Sequence, residues 1–148
     1  MEARARKIVV ETSGPIFAAK GRFADAFYNH LFDLAPESRA LFRRDFQGQK
    51  RMLMAALAMV VGVLGDRDRL AATAAHLGRV HANRQVRHAH MAIGQRAFDR
   101  ALVEFYGPAC TEDMRAAWQA AYAQVLDLMD LPRDAPDAPA PASAPPAA

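Results

Sequence analysis

Leu70-Ala71-Ala72-Thr73-Ala74-Ala75-His76-Leu77-Gly78-Arg79-Val80-His81 is the stretch on which the fold turns. Leu70, Ala74, Leu77 and His81 stand at i, i+4, i+7 and i+11, which places them on one face of a helix. That face is apolar up to its last member, a histidine. Asp66 and Asp68, just ahead, are of the type that caps a helix N-terminus by accepting from its unpaired N–H groups. Leaving a buried imidazole without a partner would cost about 1–3 kcal/mol, so this one has to be satisfied or put to use.

The flanking segments repeat the helical period. Gln49, Leu53, Ala56 and Val60 share a face over 49–64, after a polar loop at 43–48. Nearer the N-terminus, a helix over 3–20, with Pro15 as a kink and Gly21 as its break, precedes a second one. In that second helix Phe23, Phe27 and Leu31 form one stripe and Ala24, Tyr28 and Phe32 the next, so it is enclosed on much of its circumference. Pro36, with Glu37 beside it, suits the first turn of a short helix that ends at Leu41-Phe42. Toward the C-terminus a polar turn at 83–88 leads into a helix over 90–106, stopped by Gly107-Pro108. Thr111 then caps a last helix with Met114, Trp118, Ala121, Val125 and Leu128 on its inner side. No proline falls between Pro36 and Pro108 and no strand-type alternation persists, so the fold class is all-α.

Residues 1–131 are expected to form one domain, and residues 132–148 a disordered Pro/Ala-rich tail, since that stretch holds six of the nine prolines. The lone Cys110 excludes an internal disulfide and fits a reducing compartment. The net charge of +3 comes from basic residues scattered among acids, unlike the basic stripe of a nucleic-acid binder, so no nucleic-acid partner is expected. The N-terminus carries no signal-type apolar block. The longest apolar run, Met52 to Leu64, is too short to span a bilayer and contains Gly62. The reading is a cytoplasmic protein without membrane insertion.

Three polar residues fall on apolar stripes: Tyr28, Gln49 and His81. Each has a plain alternative: a core tyrosine bonded to a carbonyl, a glutamine at a helix start, a satisfied core histidine. His30, His76, His88 and His90 read as surface or helix-end residues. The chain has no paired Glu-x-x-His for a di-iron bundle, no Cys-x-x-Cys-His for covalent haem and no Gly-rich phosphate loop. On the residues alone, this is a helical domain that either holds a cofactor cavity or lets these three groups satisfy one another.

Phe27-Tyr28-Asn29-His30-Leu31-Phe32, then Pro36, then Arg39-Ala40-Leu41-Phe42 resembles the second and third helices of the globins, including the phenylalanine that packs on haem. Gln49-Lys50-Arg51-Met52-Leu53-Met54 is similar to the start of the distal helix in single-domain bacterial haemoglobins and in the globin domain of flavohaemoglobins. Leu77-Gly78-Arg79-Val80-His81 resembles the run into the proximal histidine, and the 32-residue step from Gln49 to His81 matches that family without a gap.

The resemblance implies a globin fold, a helical sandwich around haem b. His81 becomes the axial iron ligand, with its other ring nitrogen donating to the Leu77 carbonyl. Tyr28 and Gln49 become distal hydrogen-bond donors, Leu53 walls the ligand space, Phe42 wedges the macrocycle and Arg44 pairs with a propionate. The implied ligands are oxygen and other diatomic gases, nitric oxide and carbon monoxide. The implied function is reversible oxygen binding, with nitric oxide dioxygenation served by an external reductase, in a monomer or homodimer. Two features depart from the flavohaemoglobin pattern. The tyrosine expected after the proximal histidine falls on His90 or Met91, and the glutamate expected late in the last helix falls near Pro132-Arg133, which argues against peroxidase-like chemistry. A haem-free globin-like interaction module and a true dioxygenase with a dedicated reductase partner stand as the rival readings.

Overall fold

The computed structural model describes residues 1–42 and 44–133; the predicted tail at 134–148 lies outside the described residues. Six α-helices follow in order: α1 (Ala3–Ala18), α2 (Lys20–Leu34), α3 (Phe46–Val63), α4 (Arg67–Asn83), α5 (His88–Tyr106) and α6 (Glu112–Met129). Short 3-10 helices at Pro36–Phe42 and Gly107–Ala109 turn the chain between them, and no strand occurs among the described residues. The all-α expectation holds.

The helices α3, α4 and α6 start where a side chain takes up an unpaired N–H group. Asp66 accepts from the Arg69 N–H at 3.1 Å and Thr111 from the Met114 N–H at 3.1 Å, both as the sequence suggests. Three boundaries differ from the expectation. The first break is at Ala19, whose φ of −121° and ψ of 45° leave the helical range, and Gly21 lies inside α2. The helix expected from Gln49 begins at Phe46, because Asp45 caps it by accepting from the Gly48 N–H at 3.0 Å. The helix expected from His90 begins at His88, because the His90 Nδ1 accepts the Arg87 N–H at 2.9 Å and so acts as an N-terminal cap.

The core lies between α2, α5 and α6, where Phe23, Phe27, Phe98 and Trp118 are buried together. Phe23 and Phe98 meet edge-on with centroids 5.2 Å apart, an arrangement that sets the positive ring edge against a negative face. One polar knot ties α1 to this core. The Trp118 indole N–H donates to Thr12 Oγ1 at 2.8 Å, Thr12 donates to the Ile8 carbonyl at 2.7 Å, and the Tyr106 hydroxyl donates to the Thr12 carbonyl.

One close approach fixes α4 against α6. A Cβ at Gly78 would stand 2.1 Å from the Met129 carbonyl oxygen, so only glycine admits the α6 backbone there. Just beyond, Asp130 takes a left-handed conformation at φ 52°, which ends α6 and turns Leu131 back into the core. The Pro132 carbonyl then accepts the His88 N–H at 3.0 Å, pinning the end of the described chain to the start of α5.

Candidate functional site

His81 sits in the last turn of α4, 1% exposed, with its backbone as well held as its ring. Its carbonyl accepts the N–H groups of Arg84 and Val86, both at 3.0 Å. Its Nδ1 donates to the Leu77 carbonyl at 2.6 Å, which places the proton on that nitrogen and leaves the lone pair on Nε2. Nε2 is buried and has no hydrogen-bond partner among the described residues. Burial holds the imidazole pKa below its ordinary value; the Leu77 bond opposes this and the positive charge of Arg84 adds to it. The side chain is therefore a neutral, oriented base with no donor to its Nε2 among the described residues.

The imidazole lines an apolar cavity of about 100 Å3 together with Leu53, Leu57 and Leu77. The cavity continues between α3 and α6 past Val61 and Val125 as far as Val9 on α1. On the α5 and α6 side its wall is Met91 and Tyr122. The Tyr122 hydroxyl donates to the Met91 carbonyl at 2.9 Å, and burial raises its pKa above the ordinary phenol value, so it stays protonated. A Cβ on Gly94 would stand 2.8 Å from that hydroxyl, so the glycine makes room for it.

Tyr28 and Phe42 form a second group with Phe46, and neither they nor Gln49, one turn after Phe46 on α3, belong to the cavity lining. Tyr28, fully buried on α2, packs edge-on to Phe27, Phe42 and Phe46 with centroids 5.1, 5.5 and 5.1 Å away. Phe27 belongs to both groups, since it also lines the cavity. Gln49, in the first turn of α3, is 9% exposed, and its Nε2 is buried without a hydrogen-bond partner among the described residues. The structure thus brings His81 and Leu53 together in one cavity and Tyr28 and Phe42 together beside it, with Gln49 one turn after Phe46 on α3. Arg44 lies apart, exposed in the bend before α3.

The remaining histidines have local roles. The His30 Nε2 pairs with Glu104 at 3.2 Å, His90 caps α5, and His76 is exposed. Neither position from the departing flavohaemoglobin pattern supplies a ring partner to His81: His90 is used as a cap, and Pro132 and Arg133 follow the end of α6 as exposed residues. Sequence reasoning missed Gly78, Gly94 and the Tyr122 contact. A glycine inside a helix costs about 1 kcal/mol relative to alanine, and that cost was the available sign that Gly78 serves a close approach.

A helical shell that sets an oriented histidine, its Nε2 unpartnered among the described residues, over an apolar cavity with two buried polar side chains beside it fits a globin. The family model described as Globin matches residues 25–129, and the chain belongs to that family. More particularly, it is similar to the proteins named Flavohemoprotein from Bordetella pertussis, Bordetella parapertussis and Bordetella bronchiseptica. It is 28% identical to each over 127 residues, an alignment that covers 83% of this chain and 32% of the relative. The chain thus spans about a third of the length of these curated relatives. Among the described residues, no helix is long and apolar enough to cross a membrane.

Proposed function

We propose that this chain is a haem-binding globin that takes up oxygen or another diatomic gas reversibly, with His81 as the single protein ligand to iron. The observation that carries this reading is the His81 ring, with Nδ1 committed to the Leu77 carbonyl and a bare Nε2 buried against an apolar cavity. No group of three or more His, Cys, Asp or Glu side chains suited to a metal ion occurs among the described residues, so an ion on His81 needs a prosthetic group to complete its coordination. Haem fits that requirement. The only cysteine, Cys110, lies between α5 and α6 and outside any covalent attachment motif, which favours non-covalent haem b.

When bound, ferrous haem would supply an iron, held by His81, that can bind a diatomic ligand. The chain's residues do the rest. Leu77 fixes the tautomer and the rotation of His81, so that Nε2 is presented as a lone pair. Leu53 and the other cavity walls exclude water, which limits oxidation of the ferrous state. Tyr28 and Gln49 supply a phenol O–H and an amide N–H with which to stabilise negative charge on a polarised ligand. Such a bond is worth about 1.5–3 kcal/mol, roughly a 10- to 100-fold slower ligand loss. Phe42 would pack against the macrocycle, and Arg44, exposed in the bend before α3, would pair with a propionate. Nitric oxide dioxygenation is a secondary activity of the same site and draws its electrons from an external reductase.

A haem-free interaction module is the second reading. It is favoured by the cavity volume of about 100 Å3, below the roughly 300–1,000 Å3 usual for ligand pockets. Absorption spectra of the ferric, ferrous and oxygenated protein separate the two. A Soret band that shifts on reduction and again on oxygenation supports the gas-binding globin, whereas a colourless, folded chain that takes up no added hemin supports the module.

A further inference from the structure

Lys50 follows Gln49 in the chain, and its ammonium has two partners. Nζ stands 2.6 Å from Asp25 Oδ1 and 4.3 Å from the centroid of the Phe46 ring. Asp25 lies on α2 one turn before Tyr28, and Phe46 meets Tyr28 edge-on with centroids 5.1 Å apart. Only 17% of the Lys50 side chain is exposed, against 56% for Asp25. One cation therefore ties the first turn of α3, which carries Gln49, to the part of α2 that carries Tyr28.

Exposed ion pairs contribute little, because two long side chains must be immobilised and water screens them. Here the lysine stem is already immobilised by burial, and the face of Phe46 attracts its charge. Only the short Asp25 side chain has to be ordered. The Asp45 cap sets where α3 begins but does not set its distance from α2. With no hydrogen bond to its Nε2 among the described residues, the Gln49 amide is aimed by the placement of its helix.

We propose that Asp25 and Lys50 are positioning residues for the polar side of the site: their ion pair, stacked on Phe46, sets the separation of Tyr28 from Gln49 and thereby the aim of both donors. What the donors face rests on the haem-binding reading above. The test uses Lys50→Met, which keeps the apolar stem, Asp25→Asn, the double variant and Lys50→Arg. In the full chain, with or without hemin, the side-chain amide NMR signals of Gln49, assigned through Gln49→Ala, are expected to shift and broaden equally in both single variants. The double variant should add nothing further, and Lys50→Arg should restore the wild-type signals. In the hemin-loaded ferrous protein the same variants should release oxygen about three- to tenfold faster, with hemin affinity unchanged. Wild-type amide signals and a wild-type oxygen rate in Lys50→Met overturn the proposal, as does a change in thermal stability with neither of the other two. If the wild-type chain takes up no hemin, the earlier reading fails on its own and the Gln49 signals still decide the role of the pair.

Discussion

His81 and Gln49 lie on consecutive helices and are held by different means. Around His81 the restraints are backbone: a ring bonded to the Leu77 carbonyl, a carbonyl that accepts from Arg84 and Val86, and a Gly78 that lets the Met129 backbone press against α4. Around Gln49 and Tyr28 they are side chains, the aromatic rings of Phe27, Phe42 and Phe46 and the Asp25–Lys50 pair. Backbone contacts tolerate little displacement, while ring packing and an ion pair can be altered one side chain at a time. The structure thus combines a rigid side around His81, the proposed iron ligand, with an adjustable side around Tyr28 and Gln49, the proposed donors to a bound gas.

The contrast can be broken first at His81. His81→Ala should weaken hemin binding by at least about 100-fold, about 2.7 kcal/mol, and added imidazole should restore it; retention of the wild-type Soret titration would remove His81 from the site. The second break is at Gly78. Gly78→Val forces α6 away from α4 and should lower the stability of the chain by about 3 kcal/mol, read from urea denaturation, whereas an unchanged midpoint would mean that the approach of Met129 is not tight. On the adjustable side, Tyr28→Phe should leave the fold intact and speed oxygen dissociation about tenfold, about 1.4 kcal/mol, by stopped flow. The smallest effect belongs to Tyr122→Phe, which removes the bond to the Met91 carbonyl and should cost about 1 kcal/mol of stability while leaving the oxygen rate alone.

The same contrast explains what could be read from the sequence. Helical periodicity reports which face of a helix is buried, and it located His81, Gln49 and Tyr28 as inward residues; all three are buried. It reports boundaries less well, because a cap depends on which side chain happens to reach a free N–H. Asp45 and His90 do so, and they start α3 and α5 earlier than the stripes suggest. Contacts between helices leave the weakest trace. Nothing in the run from Lys50 to Met52 announces that Lys50 turns back to Asp25, and the interior glycine at 78 shows only that something must come close. Trp118, Ala121 and Val125 on α6 were legible as an inner stripe, but Tyr122 lay off it, and its bond to Met91 depends on how α5 and α6 pack.

The most direct measurement is a hemin titration of the purified wild-type chain followed at the Soret band, then anaerobic reduction and addition of carbon monoxide. Saturation at a single equivalent, followed by a ferrous form whose band shifts when carbon monoxide is added, is the expected result. A chain that stays folded while the spectrum remains that of free hemin would contradict the assignment of His81 as the axial ligand.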